Sequence, residues 1–471
     1  MKKILIMPVL FCFAVSVYGA DVTLSLEKYG QKQDTFVTKD EITAEEAENK
    51  SSAQAFSLLS QMSGVLVQTT GDAGRADPVI RGIGDSCRKI AIFIDGKPEK
   101  MSLFGCGVSH SILAANIERI EVIKGPDSVL YGSGALGGAI NIITKQPTKP
   151  FEGSIDVSAG SFNTQNSGIY LGGVQNNITY DVSANKYISD GHLDNANYNA
   201  SDYYEKLGYS FKDGSAVSVE AKQYFGLKHE PAPYAAGYWE DYDRGSVQLN
   251  YDKNFSKSDI AVKIYTNYGD HQFSDGWHSQ DTLSGLMANY DMELSDNNLL
   301  KTGTEFRQQE GKLLSGPVYM VHNSWKTYDW SAFALDKHNF TEKLSGVAGA
   351  RFNNDEISGS FFAPRAGIEY LLSEICSLKA VYSKGFRSPY LNELYLVPAR
   401  NENLKAEEVN NYEIGLAAES YDFKFNITGF IMKGSNIIEN SGGKFQNTGE
   451  YEFKGCEINA NYAFSKYLNG E

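Results

Sequence analysis

Residues 128–147 read SVLYGSGALGGAINIITKQP. Gly132, Gly134, Gly137 and Gly138 crowd together there, an apolar run rich in β-branched residues follows through Thr144, and Pro147 closes the segment. Glycine tolerates positive φ and close backbone approach, so this text describes tight turns pressed against a surrounding wall. The nature of that wall decides the fold, and it is legible in the sequence on either side.

Downstream of Pro150 the chain alternates. Ile178, Tyr180, Val182 and Ala184 interleave with Thr179, Asp181 and Ser183, and Ile260, Val262 and Ile264 interleave with Ala261, Lys263 and Tyr265. The two-residue period recurs at Ile155 to Ala159, Val217 to Ala221, Leu378 to Tyr382 and Phe423 to Ile427. Segments of about ten residues are separated by turn chemistry such as KDG, SDNN and TEK. With 45 Gly, 29 Tyr, 25 Phe and only 12 Pro, the composition is that of an aromatic, strand-rich protein.

The N-terminus sets the compartment. Lys2 and Lys3 precede an apolar run from Ile4 to Val17, and Gly19 and Ala20 follow. This is the layout of a cleaved secretory signal, and the run is too short to span a bilayer. The formal net charge is −15 and becomes more negative once those lysines are removed, which excludes nucleic acid as a partner. A soluble sandwich would also alternate, but export, aromatic residues near segment ends and connections of alternating length point to a transmembrane antiparallel β-barrel. In lipid a closed sheet is the only strand-based way to pair every backbone group. About sixteen such strands fit between Phe151 and Phe464.

The first 150 residues are different. SSAQAFSLLSQMSGVLV reads as a short helix with Phe56, Leu58, Leu59 and Met62 on its buried side, ended by Gly64. Short strands broken by Gly and Pro follow, which makes a compact α+β domain ahead of the barrel. The expected organisation is a signal peptide over 1–20, an N-terminal segment over 21–50, the α+β domain over 51–148 and the barrel over 151–471.

The longer connections carry His229, Tyr238, Trp239, His271, Trp277, His278, His322 and Trp325. Taken singly, each aromatic reads as an interface marker and each histidine as solvated. As a set they are candidate ligand loops for a planar or metal-bearing molecule. Cys12 leaves with the signal, and Cys87 and Cys106, close together in loop-like text, are the expected disulfide. Cys376 and Cys456 read as buried strand thiols. Cys106 and His110 are too few for a metal site, so no metal centre and no cofactor is expected. Nucleophile elbow, phosphate loop and metal triad are all missing from the text, so an enzyme is not expected either.

The string VIRGIG…IAIFIDGKP…NIERIEVIKGPDSVLYGSGALGGAINIITKQP resembles the plug domain of TonB-dependent outer-membrane receptors over residues 52–147. SKGFRSPYLNELY (383–395), NENLKAEEVNNYEIGL (401–416) and NTGEYEFKGCEI (447–458) resemble that family's barrel motifs in the family's order. The resemblance implies a plug inside a 22-stranded barrel that imports scarce nutrients across the outer membrane. It implies TonB and its inner-membrane energising complex as partners, pulling on a short box. Asp21, Val22, Thr23, Leu24 and Ser25 are the expected box, with DTFVT (34–38) the alternative. It also implies that Arg81 and Lys124 pair with barrel carboxylates, for which Glu393 or Glu413 are the candidates. The cargo it implies is a small-molecule metal chelate, ferric siderophore first and cobalamin second. Haem is disfavoured because residues 390–400 contain no histidine. Relative to the family about six strands are missing, so the expectation is that this chain is a fragment that does not close on its own. A passive porin or adhesin is the rival reading.

Overall fold

The computed structural model describes residues 36–43, 55–69, 76–84, 88–112, 116–232, 237–317, 320, 323–465 and 468–470. The N-terminal domain comprises β1 (Thr38–Thr43), α1 (Ala55–Leu58) running into a 3-10 turn, β2 (Val65–Thr69), β3 (Ala76–Ile80), β4 (Ile90–Ile94), β5 (Lys97–Pro98), β6 (Ile117–Lys124), α2 (Ser128–Tyr131) and β7 (Gly138–Thr144). Five strands form a sheet in the order β1-β6-β7-β4-β5, in which β4 and β7 are parallel, and β2 pairs separately with β3. Alternation sends Ile90, Ile92, Ile94, Ile120, Val122, Ile140 and Ile142 to one face, where Phe56, Leu58 and Leu59 cover them.

The glycine cluster does what its text required. Gly132, Gly134 and Gly138 have φ of +69°, +100° and +147°. A Cβ on Gly138 would sit 2.0 Å from the Ile123 carbonyl oxygen. The wall it faces is the barrel: the Gly134 amide donates to the Phe386 carbonyl at 3.0 Å.

The wall is a meander. Its strands are β8 (Glu152–Gly160), β9 (Thr164–Gln175), β10 (Ile178–Ser189), β11 (Tyr198–Ser210), β12 (Ser215–His229), β13 (Trp239–Asn254), β14 (Ser258–Phe273) and β15 (His278–Ser295). Then come β16 (Asn298–Ser315), β17 (Ser324–Asn339), β18 (Leu344–Asp355), β19 (Gly359–Ser373), β20 (Cys376–Arg387), β21 (Glu407–Glu419), β22 (Phe423–Ser441), β23 (Lys444–Ser465) and β24 (Leu468–Gly470). Each pairs antiparallel with the next, as in Ile178↔Tyr209 of β10 and β11. Thr179, Asp181, Ser183 and Asn185 turn inward and are buried, while Ile178, Val182, Leu207 and Leu249 turn outward and are exposed. No helix among the described residues is long and apolar enough to cross a membrane; the apolar outer face belongs to the closed sheet.

Two sequence expectations are corrected here. The sheet closes into a barrel, with β24 lying between β23 and β8, so a short terminal strand completes the circuit that was expected to stay open. Cys456 is exposed on the outer surface and Cys376 is half-buried, so neither is a buried thiol. At the rim where the chain passes from β7 into β8 the connections between strands are all two to four residues long, as at 176–177 and 211–214, whereas the opposite rim also carries long ones. Short turns mark the periplasmic rim; the opposite rim carries the 388–406 connection, which contains a turn of π-helix at Asn392–Leu396.

Candidate ligand vestibule and the seating of the inner domain

The outer end of the lumen is lined with aromatic rings that converge on one loop of the inner domain. This loop follows β5 and is folded on itself: the Met101 amide donates to Cys106 O at 2.8 Å and Gly105 to Met101 O at 2.7 Å. Gly105 is required, since its φ is +71° and a Cβ would meet the Tyr390 ring at 2.1 Å. Phe104 at its tip packs on Trp277, with ring centroids 5.6 Å apart, and Trp277 stacks on Phe273 at 6.2 Å. Trp325 and Tyr395 lie parallel at 6.2 Å, and Met101 and Val108 rest on Tyr187, Tyr198, Tyr224 and Tyr242. Such rings supply large apolar area with defined geometry.

The base of the loop is fixed by charge. Ser102 donates its amide to Asp281 at 2.8 Å and its hydroxyl to Thr282 O at 2.7 Å. Glu99 accepts from Lys97 at 2.9 Å and lies 3.5 Å from Arg244, which reaches Asp281 at 3.2 Å and His271 at 3.1 Å. Burial pushes the Glu99 carboxyl up, but Lys97, Arg244 and Lys222 together overcome it and hold it at about 2. Burial and the neighbouring Arg307 draw Lys100 down to about 8, against Asp329, Glu305 and Asp355. Its ammonium stands 5.5 Å over the Tyr390 ring.

A second set of contacts seats the domain against the other side of the wall. Arg81 follows β3 with φ of +50°, and its side chain is fully buried. It donates to Glu413 at 2.7 Å and to Glu457 at 3.1 and 2.9 Å, and lies 4.5 Å over the Phe430 ring. Burial works against its charge, but the two carboxylates raise its pKa above the ordinary arginine value. Asp127 accepts from Arg365 at 3.3 Å, and Ser128 Oγ accepts from the Phe386 amide at 3.1 Å.

Arg81 and Glu413 are thus in contact. Lys124 is not directed at the wall: it pairs with Asp40 at 2.5 Å and Ser63 at 3.0 Å, because β1 brings Asp40 beside β6. Glu393 is likewise reassigned. It accepts from Arg387 at 2.8 and 3.1 Å and from the Tyr390 amide, because the π-helical turn folds it back onto the end of β20. Arg387 also bonds Glu407, which Lys89 of the inner domain approaches at 3.7 Å.

Of the ligand-loop candidates, Trp277 lies in the vestibule, and His271 is wholly buried beside Arg244 and Tyr242. His278 pairs with Asp270 at 3.1 Å. His229 ends β12, Trp239 begins β13, and the Tyr238 carbonyl accepts from Asn195, so these three shape the rim. His322, Asp21 to Ser25 and Cys87 lie outside the described residues; Cys106 is half-buried against the Met101 cluster. Sequence reasoning missed Phe104, Tyr390, Arg244, Asp281 and Glu457. Glu457 had one signal, its place at an inward position between outward Cys456 and Ile458. Among the described residues no cluster of His, Cys, Asp or Glu is arranged to hold a metal ion.

The profile described as "TonB dependent receptor-like, beta-barrel" matches residues 154–471, and that described as "TonB-dependent Receptor Plug Domain" matches residues 31–139. The chain belongs to the TonB-dependent receptor family. It is therefore an outer-membrane protein, and its inner domain is the plug. The Vitamin B12 transporter of Vibrio cholerae serotype O1 is 24% identical, over 94% of this chain and 75% of the relative. The Iron-regulated outer membrane virulence protein of the same species is 25% identical, over 75% and 57%. Among solved structures, a mutant of the ferric enterobactin receptor of Pseudomonas aeruginosa superposes with a TM-score of 0.80 at 19% identity, covering 93% of this chain and 79% of that one. The siderophore receptor PirA from Acinetobacter baumannii gives 0.77 at 19%, covering 94% and 80%. At such identities these structures show the fold alone.

Proposed function

We propose that this receptor carries out energy-coupled uptake of a scarce nutrient, a metal chelate of the ferric siderophore class, and that TonB supplies the pull. The observation that carries this reading is the seating of the plug. Arg81 is held in the lumen by two buried carboxylates, and the loop at Phe104 is roofed by Trp277 and Phe273. Breaking buried charge pairs between plug and wall strands charges at a cost of several kcal/mol, so in this reading passage needs work. The aromatic vestibule supplies flat apolar surfaces for a chelate, with the Lys100 ammonium beside them for an anionic edge.

Energy comes from the periplasm in this reading. Asp21 to Ser25, which follows the signal in sequence, is the segment that adds as a strand to the edge of TonB's sheet. Cobalamin is the second reading, favoured by the relative named as a Vitamin B12 transporter.

The test is uptake of radiolabelled ferric siderophores and cobalamin by cells carrying the gene, with and without TonB and the proton gradient. Uptake of one class that collapses when coupling is lost supports the reading and names the cargo. Uptake indifferent to coupling makes the protein a passive pore, and surface binding without uptake makes it an adhesin. Removal of residues 21–25 with import untouched rules out that segment as the box.

A further inference from the structure

The plug meets the barrel in two different ways on its two sides. Toward β17–β23 it docks closely on the barrel main chain, beside the buried pairs of Arg81 and Asp127. Ser128 and Gly134 bond the main chain of Phe386, and Ser133 Oγ accepts from the Ser388 amide at 3.0 Å. A Cβ added to Gly385 would stand 2.7 Å from Pro126 Cβ, so no space remains there. Toward β11–β14 the plug presents the polar face of its sheet. Glu121 on that face accepts from Lys39 at 2.6 Å, Arg119 at 3.3 Å and Asn141 at 3.4 Å. The barrel answers with an equally polar wall: Lys206 to Glu220 at 3.2 Å, Asn250 to Glu220 at 2.9 Å, and Lys263 to the carbonyl oxygen of Asp95.

Between these two faces lies a cavity of about 70 Å³, lined by Asp95, Arg119, Asn141, Lys206, Glu220 and Lys263 among others. That is room for about five waters. Asp181 stands opposite Lys206 in the register, is fully buried, and has no protein hydrogen-bond partner on either carboxylate oxygen. Ser183 Oγ and Asp202 Oδ1 are in the same condition. An isolated carboxylate in a dry site costs several kcal/mol, a cost that water reaching this part of the lumen would relieve. Asn250 and Lys263 stand within five positions of the periplasmic ends of their strands, so the wet region lies toward that rim.

We propose that cargo passes to the periplasm along this hydrated cleft, between the polar face of the plug sheet and β11–β14, while the plug stays docked on β17–β23. The proposal rests on the uptake reading above. Across the cleft the plug is held by side-chain contacts that TonB's pull has to break, Lys263 to the Asp95 carbonyl oxygen and Arg244 to Glu99, whereas the opposite side is held both by the Phe386 and Ser388 main chain and by the buried pairs of Arg81 and Asp127. Its lining of carboxylates, ammonium groups and amides suits a polar, hydrogen-bonding chelate of mixed charge and rejects an apolar one.

Two cysteine substitutions in the full chain test this: Ala261→Cys, which lines the cleft, and Ser128→Cys, on the docked side. A membrane-impermeant maleimide is applied to cells whose outer membrane has been permeabilised, and label above that of the parent chain is counted. The expected result is labelling of Ala261→Cys at least tenfold faster than Ser128→Cys. Equal rates, or no labelling of Ala261→Cys, overturn the cleft. Uptake of the cargo is then compared before and after labelling of Ala261→Cys; a fall of tenfold or more is expected, and unchanged uptake by a fully labelled receptor overturns the route. Should the parent chain import nothing, the uptake reading fails, and the route with it, while the labelling rates still decide the cleft.

Discussion

Replacing Arg81 with methionine is the sharpest test of how the plug is seated. The substitution keeps side-chain volume and leaves the backbone at its positive φ, but removes three hydrogen bonds, to Glu413 at 2.7 Å and to Glu457 at 2.9 and 3.1 Å. Both carboxylates are buried and would face each other without a cation. Removing one partner of a buried pair costs about 3–5 kcal/mol. Glu413 keeps Thr38 at 3.0 Å and Asn411 at 2.8 Å as donors, which places the expected loss near ~4 kcal/mol, roughly a thousandfold in the equilibrium for unseating. The assay is urea titration of the detergent-solubilised receptor, with Trp277 as reporter because it packs on Phe104 of the plug; Trp239, Trp325 and Trp330 are changed to phenylalanine. The variant Arg81→Met with Glu413→Gln and Glu457→Gln should recover most of the loss, since no stranded charge remains. A loss under about 1 kcal/mol for Arg81→Met, typical of exposed pairs, or a triple variant no better than the single one, would refute the reasoning.

Other consequences are equally direct. Gly138→Ala forces a Cβ to within 2.0 Å of the Ile123 carbonyl at φ of +147°, so folded receptor should be lost from outer-membrane fractions; normal yield would mean that β6 and β7 separate readily. Trp277→Ala empties a site between Phe104 and Phe273 and should lower stability by about 3–5 kcal/mol while weakening cargo binding; unchanged binding would remove the ring from the vestibule. Glu99 is a carboxyl held below its ordinary value, at about 2. Its stabilisation is therefore fully present above about pH 4.5 and lost as pH falls through about 2. Unseating midpoints measured from pH 7 to pH 2 should drop late in the parent and lack that component in Glu99→Gln; coincident profiles would count against the contact with Lys97 and Arg244.

The barrel was legible because lipid imposes a strict rule. Ile178 and Val182 face outward and Thr179 and Asp181 inward, and that alternation is written locally. The glycines at 132, 134 and 138 were legible for the same reason, since backbone conformation is a local property. Partnerships across the lumen were not. Arg81 finds Glu457 at a sequence separation of 376 residues, and many inward carboxylates offer the same chemistry, so nothing nearby distinguishes Glu457 from Glu393. Lys124 was misread because the strand that satisfies it, β1, pairs with β6 through the sheet register. Closure was misread because a strand of three residues carries almost no periodic signal.

The wall has a kinetic corollary in its connectivity. From β8 to β24 every strand pairs with its neighbour in sequence, and one seam alone, β24 against β8, joins distant parts of the chain. The plug's main core draws only on residues between Ile42 and Ile142. Entropy of loop closure is therefore concentrated in a single late event. Biogenesis can proceed by adding hairpins one after another around a nucleus made first, with the final join as the slow step and the point at which assembly factors have most to gain.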